Sequence, residues 1–187
     1  MSSASHAAQP AVLSDVLPGE RVRDVLLTVG FTVAIAASAQ LAFFLPGNPV
    51  PITAQTFVVL AGAIALGTTR AAIGAALFAV LGATGVPLFA AASGATVGYI
   101  IGFVVAAALL GAWASRGGVR TVRSTVAAMV VGNLVIYAFG AVWLGVFLGS
   151  AEQGLMLGVV PFLIGDAIKL ALAAAVVPTL WKLVGRG

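Results

Sequence analysis

Two charges stand where charges are costly. Asp166 and Lys169 lie three residues apart inside a long apolar run near the end of the chain, and residues three apart share one face of a helix. Each charge placed in a bilayer costs about 2.5–3.5 kcal/mol on insertion scales, so intramembrane charges turn to the interior of a bundle and usually serve a purpose. Lys169 is available for an anionic group and Asp166 for N–H donors. A ligand carrying both a carboxylate and amide-like N–H groups would suit the pair. The competing reading is a mutual ion pair that merely locks the helix, a task small residues could perform at lower cost.

One further candidate shares their face, and others lie in other apolar runs. Phe162 precedes Asp166 by four residues and offers an apolar wall, or ordinary packing. Gln55, with Thr53 and Thr56 beside it, is a polar side chain one turn into an apolar run; it reads equally as a ligand contact and as interhelical glue. Asn133, Tyr137 and Gly140 form a stripe facing the bundle, where Asn133 suits an interhelical hydrogen bond. Tyr99 opens another apolar run, in the position of an interfacial belt residue or of a contact to a covering loop. Gly30, Ala34, Ser38 and Ala42 recur every four positions, as in small-xxx-small packing faces, and could meet a helix of this chain or of another protein. His6, in a polar tail, reads as solvated and inert.

The elements that hold these residues follow from composition. Of 187 residues, 61% are apolar and 7% charged, with the charges confined between long uncharged runs; that is a bilayer composition. A helix needs about 20 apolar residues to cross a core of roughly 30 Å, so the chain is expected to be an all-α bundle of six transmembrane helices. Residues 1–24 are expected to form a cytosolic tail and 25–187 one six-helix transmembrane domain. The expected spans are Val25–Leu45, Thr53–Leu66, Ala71–Val86, Tyr99–Ala114, Thr125–Leu148 and Leu155–Leu183, the last with kinks at Pro161 and Pro178. Pro46–Pro51, with its three prolines, reads as a stiff loop. The segment Pro87–Gly98 reads as a loop folded back onto the bundle, since irregular backbone at membrane depth must be buried in protein or line a cavity.

In this topology Arg21, Arg23, Arg70, Arg116, Arg120, Arg123, Lys182 and Arg186 fall on one side, eight of the nine basic residues. The positive-inside rule then makes both termini cytoplasmic and leaves only Lys169 for other work. The net charge of +4 therefore reports topology rather than nucleic acid, for which no basic face with interleaved aromatics exists. Cysteine is absent, excluding disulfides and thiolate chemistry. Neither lysine lies in a phosphate-cradling glycine loop, so an ATP-driven step would need a partner. No metal constellation, cofactor motif or nucleophile elbow suggests an enzyme.

Four stretches together resemble the BioY family, the biotin-specific S components of energy-coupling-factor (ECF) transporters. They run Pro49-Val50-Pro51-Ile52-Thr53-Ala54-Gln55-Thr56-Phe57, then Gly82-Ala83-Thr84-Gly85-Val86-Pro87-Leu88-Phe89, then Gly94-Ala95-Thr96-Val97-Gly98-Tyr99-Ile100-Ile101-Gly102-Phe103, and Pro161-Phe162-Leu163-Ile164-Gly165-Asp166-Ala167-Ile168-Lys169. The resemblance implies an S-component fold in a bacterial plasma membrane and a biotin pocket near the outer face, capped by the loops after the first and third spans. It also implies Asp166, Lys169 and Tyr99 as ligand-binding residues. Its partners would be a transmembrane T subunit and two ATPases. The loop Ala90–Gly98 departs from the pattern in carrying no arginine. Two alternatives remain: an S component for another vitamin, and a noncatalytic membrane assembly subunit.

Overall fold

The computed structural model describes residues 12–16, 21–89 and 94–184; His6 and Arg186 lie outside them. Seven α-helices are found there: α1 (Arg21–Ala39), α2 (Gln55–Leu66), α3 (Thr68–Ala83), α4 (Val97–Ser115), α5 (Val122–Leu148), α6 (Ala151–Gly158) and α7 (Phe162–Val184). A two-stranded antiparallel ribbon, β1 (Ala42–Phe43) and β2 (Ile52–Thr53), joins α1 to α2 with Ala42 opposite Thr53. Short 3-10 turns at Leu13–Val16 and Gly94–Thr96 complete the elements.

Four helices, α1, α4, α5 and α7, are long and apolar enough to cross a bilayer. The helices α2 and α3 are shorter than the spans expected of them. At 1.5 Å per residue, their 12 and 16 residues reach only about 18 and 24 Å. The ends of α2 are finished by the ribbon on one side and by Gly67 on the other, and Val59, Leu60, Ala63 and Ile64 are completely buried. A helix covered in this way by protein need not match the lipid thickness.

The sixth expected span is broken. Instead of one helix over Leu155–Leu183, α6 ends at Gly158 and α7 begins at Phe162, with Pro161 in the interruption because it cannot continue an intrahelical hydrogen-bond ladder. The second proline, Pro178, stays inside α7. α6 runs back along α5: Gly154 lies against the backbone of Ala141 and Gly145, and Gly158 against Leu144. Together α6 and α7 make one interrupted pass.

Apart from Lys169, the basic side chains among the described residues gather at one end of the bundle. Arg70 Nε donates to Asp24 Oδ1 at 2.9 Å and its Nη1 to Ser14 Oγ at 2.5 Å, tying the α2–α3 turn to α1 and to the amino-terminal 3-10 turn. Nearby, the Arg120 guanidinium stacks 4.6 Å from the Trp181 ring centroid, joining the start of α5 to the end of α7. The opposite end, here the loop end, carries the ribbon, the α3–α4 connection and the α6/α7 break.

The small-residue stripe does not continue as one face. α1 stops at Ala39, so Ala42 lies on β1 rather than on the helix. Ser38 is buried, with its hydroxyl donating to the Ile35 carbonyl at 2.8 Å. Only Gly30 and Ala34 remain open, along a groove bounded by α2 and by Val177 and Leu180 of α7.

Candidate functional site

A cavity of about 370 Å³ opens among the ribbon, α2, α4, α5 and α7, within the roughly 300–1,000 Å³ typical of small-ligand sites. Its walls are mostly apolar: Val50 and Pro51 from the connection within the ribbon, Phe78 from α3, Ile100 and Phe103 from α4, Ile136 from α5 and Phe162 from α7. Polar groups are few and placed at its depth and its rim.

At depth lie four side chains from three helices. Lys169 Nζ donates to Asp166 Oδ1 at 2.8 Å and to Thr56 Oγ1 at 2.7 Å. The Thr56 hydroxyl approaches Asp166 Oδ1 at 3.3 Å, and the Tyr137 hydroxyl donates to Asp166 Oδ2. Asp166 is thus 6% exposed and stands behind Lys169, which reaches the cavity wall. An unpaired carboxylate could not persist there; three donors from α2, α5 and α7 replace its water. Lys169 lies seven residues beyond Phe162, about 10 Å deeper along α7 at 1.5 Å per residue.

The ion pair modifies the expectation drawn from residue types. Lys169 does not present a free positive charge to the cavity, since Asp166 compensates it at contact distance. Of the three ammonium protons, two are engaged by Asp166 and Thr56, which leaves one for a ligand acceptor.

Tyr99 also lines the cavity, but its hydroxyl is committed elsewhere. It donates to the Gly158 carbonyl at 2.7 Å, while the ring packs against Phe162 with centroids 6.0 Å apart. The ring fits because Gly140 stands opposite; a Cβ there would collide with the Tyr99 ring atoms. Tyr99 therefore contributes a wall. Near it, Trp143 Nε1 donates to the Gly94 carbonyl at 2.8 Å, holding the described end of the α3–α4 connection against α5.

Gln55 and Thr53 line the cavity where the ribbon meets α2, with Thr53 Oγ1 accepting from the Gln55 N–H at 3.3 Å. Ala42, placed in sequence on a helical docking face, lines it too. Asn133 does not. It is 8% exposed, one turn below Tyr137 on α5, and its Oδ1 has no hydrogen-bond partner, so the interhelical bond expected of that oxygen is not made. Thr56 and Tyr137, read in sequence only as a neighbour of Gln55 and as part of a bundle-facing stripe, both touch Asp166 directly. A tyrosine in the middle of a span, four residues from an asparagine, was the available signal: a buried hydroxyl must find a partner, and Asp166 was the acceptor on offer.

Among the described residues no cluster of His, Asp or Glu could hold a metal ion. At the cavity rim, Gln40, Thr53, Gln55 and Thr96 supply neutral polar groups, and Lys169 is the lone cationic side chain lining the cavity among the described residues.

Comparison with known proteins agrees with this architecture. The chain is 34% identical over 163 residues to a protein of Pyrococcus horikoshii named probable biotin transporter BioY, covering 83% of this chain and 94% of that one. It is 34% identical over 167 residues to the biotin transporter BioY of Rhizobium etli, covering 81% and 89%, and 33% identical over 160 residues to that of Thermotoga maritima, covering 82% and 92%. A crystal structure described as the S-component for biotin from an ECF-type ABC transporter superposes with a TM-score of 0.74 over 87% of this chain and 92% of that one, at 22% identity. The sequence model of the BioY family matches residues 6–186, and the chain belongs to that family.

Proposed function

We propose that this protein captures biotin at the loop end of the bundle and delivers it, with an ECF energising module, across the plasma membrane. The observation that carries the reading is the charge-paired Lys169–Asp166–Thr56–Tyr137 cluster at the bottom of a cavity with mostly apolar walls and an uncharged polar rim. Biotin has a ureido ring with one carbonyl and two N–H groups, an apolar bicycle, and a carboxylate on a flexible tail. A carboxylate pushed against Lys169 would also meet Asp166. The ureido carbonyl is uncharged, is not repelled by that carboxylate, and can accept the one ammonium proton that the cluster leaves unused. The bicycle then lies among Phe103, Ile136, Tyr99 and Phe162, and the tail rises toward the rim at Gln40, Gln55 and Thr96. Curated relatives named biotin transporters support the same ligand.

Charge placement supports an orientation with the basic end in the cytoplasm and the loop end, which has no Lys or Arg in its connections, outside. Gly30 and Ala34, the open remnant of the small-residue stripe, line the α1–α2–α7 groove where a helix of the T subunit could approach closely. Two ATPases acting through that subunit would supply the energy.

Binding of labelled biotin to the purified protein, with thiamine, riboflavin, biocytin and 2-iminobiotin as competitors, tests the ligand and its orientation. Biocytin, in which the biotin carboxyl is an amide and the remaining carboxylate stands farther out on the lysine, should still compete. Iminobiotin, which lacks the ureido carbonyl, should compete at least tenfold more weakly. Displacement by thiamine or riboflavin instead of biotin would overturn the assignment.

A further inference from the structure

The end of α6 is a helix terminus with carbonyls to satisfy, and side chains from elsewhere in the fold satisfy two of them. A helix leaves its last four C=O groups without intrahelical partners. Leu155 O is taken by the Val159 N–H at 3.0 Å. Leu157 O accepts from Asn48 Nδ2 at 2.9 Å, and Gly158 O from the Tyr99 hydroxyl at 2.7 Å. Tyr99 stands on a helix. Asn48 stands in the connection between β1 and β2.

That connection is built to present Asn48. Leu45-Pro46-Gly47-Asn48 is a turn closed by Asn48 N–H to Leu45 O at 3.1 Å, with proline second and Gly47 third at φ +79°, the arrangement of a type II turn. Asn48 Oδ1 then accepts the Val50 N–H at 2.9 Å, fixing the next two residues. The amide orientation is forced, because Val50 N–H can only donate and Leu157 O can only accept. Val50, seated by this arrangement, is 4% exposed, and it lines the cavity together with Pro51.

We infer that Asn48 is a positioning residue for ligand retention: its single hydrogen bond to α6 latches the 44–51 connection over the cavity, and its rupture is the step that lets ligand leave. Asn48 does not line the cavity and acts through Val50 and Pro51. The inference rests on the ligand-binding reading of the cavity for its kinetic consequence, but the latch itself can be observed without ligand.

Asn48→Asp separates the two bonds of the side chain. One carboxylate oxygen still accepts from Val50 N–H, while the other meets the Leu157 carbonyl, acceptor against acceptor. Asn48→Ala removes both bonds. Loss of one hydrogen bond of about 1 kcal/mol corresponds to roughly fivefold in rate. Biotin release from Asn48→Asp should therefore accelerate about fivefold or more, with association changed less than twofold. Independently, Val50→Cys places one thiol in a chain that has none. Its labelling by a maleimide in the absence of ligand should quicken by a similar factor when Asn48→Asp or Asn48→Ala is added. A control thiol at Ala114→Cys, 3% exposed at the basic end, should not change. Equal Val50→Cys labelling with and without the substitutions would overturn the latch. Equal acceleration at Ala114→Cys would also overturn it, by showing general loosening. Failure of the wild-type protein to bind biotin would instead sink the proposed ligand and leave the labelling comparison intact.

Discussion

The Tyr137 hydroxyl donates to Asp166 Oδ2, the carboxylate oxygen that Lys169 and Thr56 leave free. Asp166 is thereby held from both sides, by α5 on one oxygen and by α2 and its own helix on the other. A carboxylate so fixed sets where the Lys169 ammonium sits, and hence where its remaining proton points.

Tyr137→Phe keeps the ring and removes that donor. A buried acceptor left short of a partner costs about 1–3 kcal/mol, so the variant should unfold at lower temperature in detergent. It should also bind biotin roughly tenfold more weakly, because Asp166 can then rotate and carry Lys169 with it. Unchanged affinity would mean that the tyrosine serves packing alone.

Lys169 and Asp166 form one unit, and single and double replacements should show it. Removing one partner of a buried pair leaves an uncompensated charge and costs about 3–5 kcal/mol, whereas replacing both is far less damaging. Lys169→Met and Asp166→Asn should each lower stability more than the double variant does, in a thermal-unfolding cycle. All three should lose biotin binding. A double variant that still bound biotin tightly would reduce the pair to a helix staple.

Much of this arrangement was legible because lipid makes polar residues conspicuous. Asp166 and Lys169 stood out by charge alone, and three apart on one helix they could be paired on paper. Thr56 and Tyr137 were less visible, since a buried hydroxyl announces that it needs a partner but not which one, and Asp166 lies on another helix. The broken sixth pass was only half legible. Pro161 marked a disturbance, but whether a proline kinks a helix or ends it depends on what receives the freed carbonyls, and here Asn48 and Tyr99 do, from more than fifty residues away. The small-residue stripe misled for a similar reason: periodicity carries no signal for where a helix stops, and α1 stops before Ala42.

Gly140→Leu should displace the Tyr99 ring, which occupies the space a side chain would need. Overpacking of this kind typically costs about 1–3 kcal/mol. Since Tyr99 walls the cavity and also holds Gly158 O, both stability and biotin affinity should fall. Adding Tyr99→Ala to make room should recover part of the stability and none of the affinity. Recovery of both would show that the ring is not part of the binding wall.

Orientation can be read from reporter fusions. A cytoplasmic reporter joined after residue 187 should be active, and the same reporter placed at Gly149, between α5 and α6, should be silent. The reverse pattern would put the cavity on the cytoplasmic side and remove the case for uptake.

Docking of an energising partner makes the last prediction. Gly30 and Ala34 are exposed on α1 beside an apolar groove that also takes in Ala61 and Ala65 of α2 among larger side chains such as Phe57 and Val177, and these small residues would let another helix come close. Replacing Ala34 with Trp would fill that groove without touching the cavity, which α1 meets only at its far end through Ala39. The Ala34→Trp variant should bind biotin as the parent does, yet fail to co-purify with a co-expressed T subunit and ATPases, and cells relying on it should lose concentrative uptake. Ser38 supplies the contrast: it is buried and bonded within α1, so Ser38→Trp should damage the fold and biotin binding as well. Retained co-purification of Ala34→Trp would place the partner on another face of the bundle. Loss of biotin binding by Ala34→Trp would instead show the groove to be part of this chain's own packing.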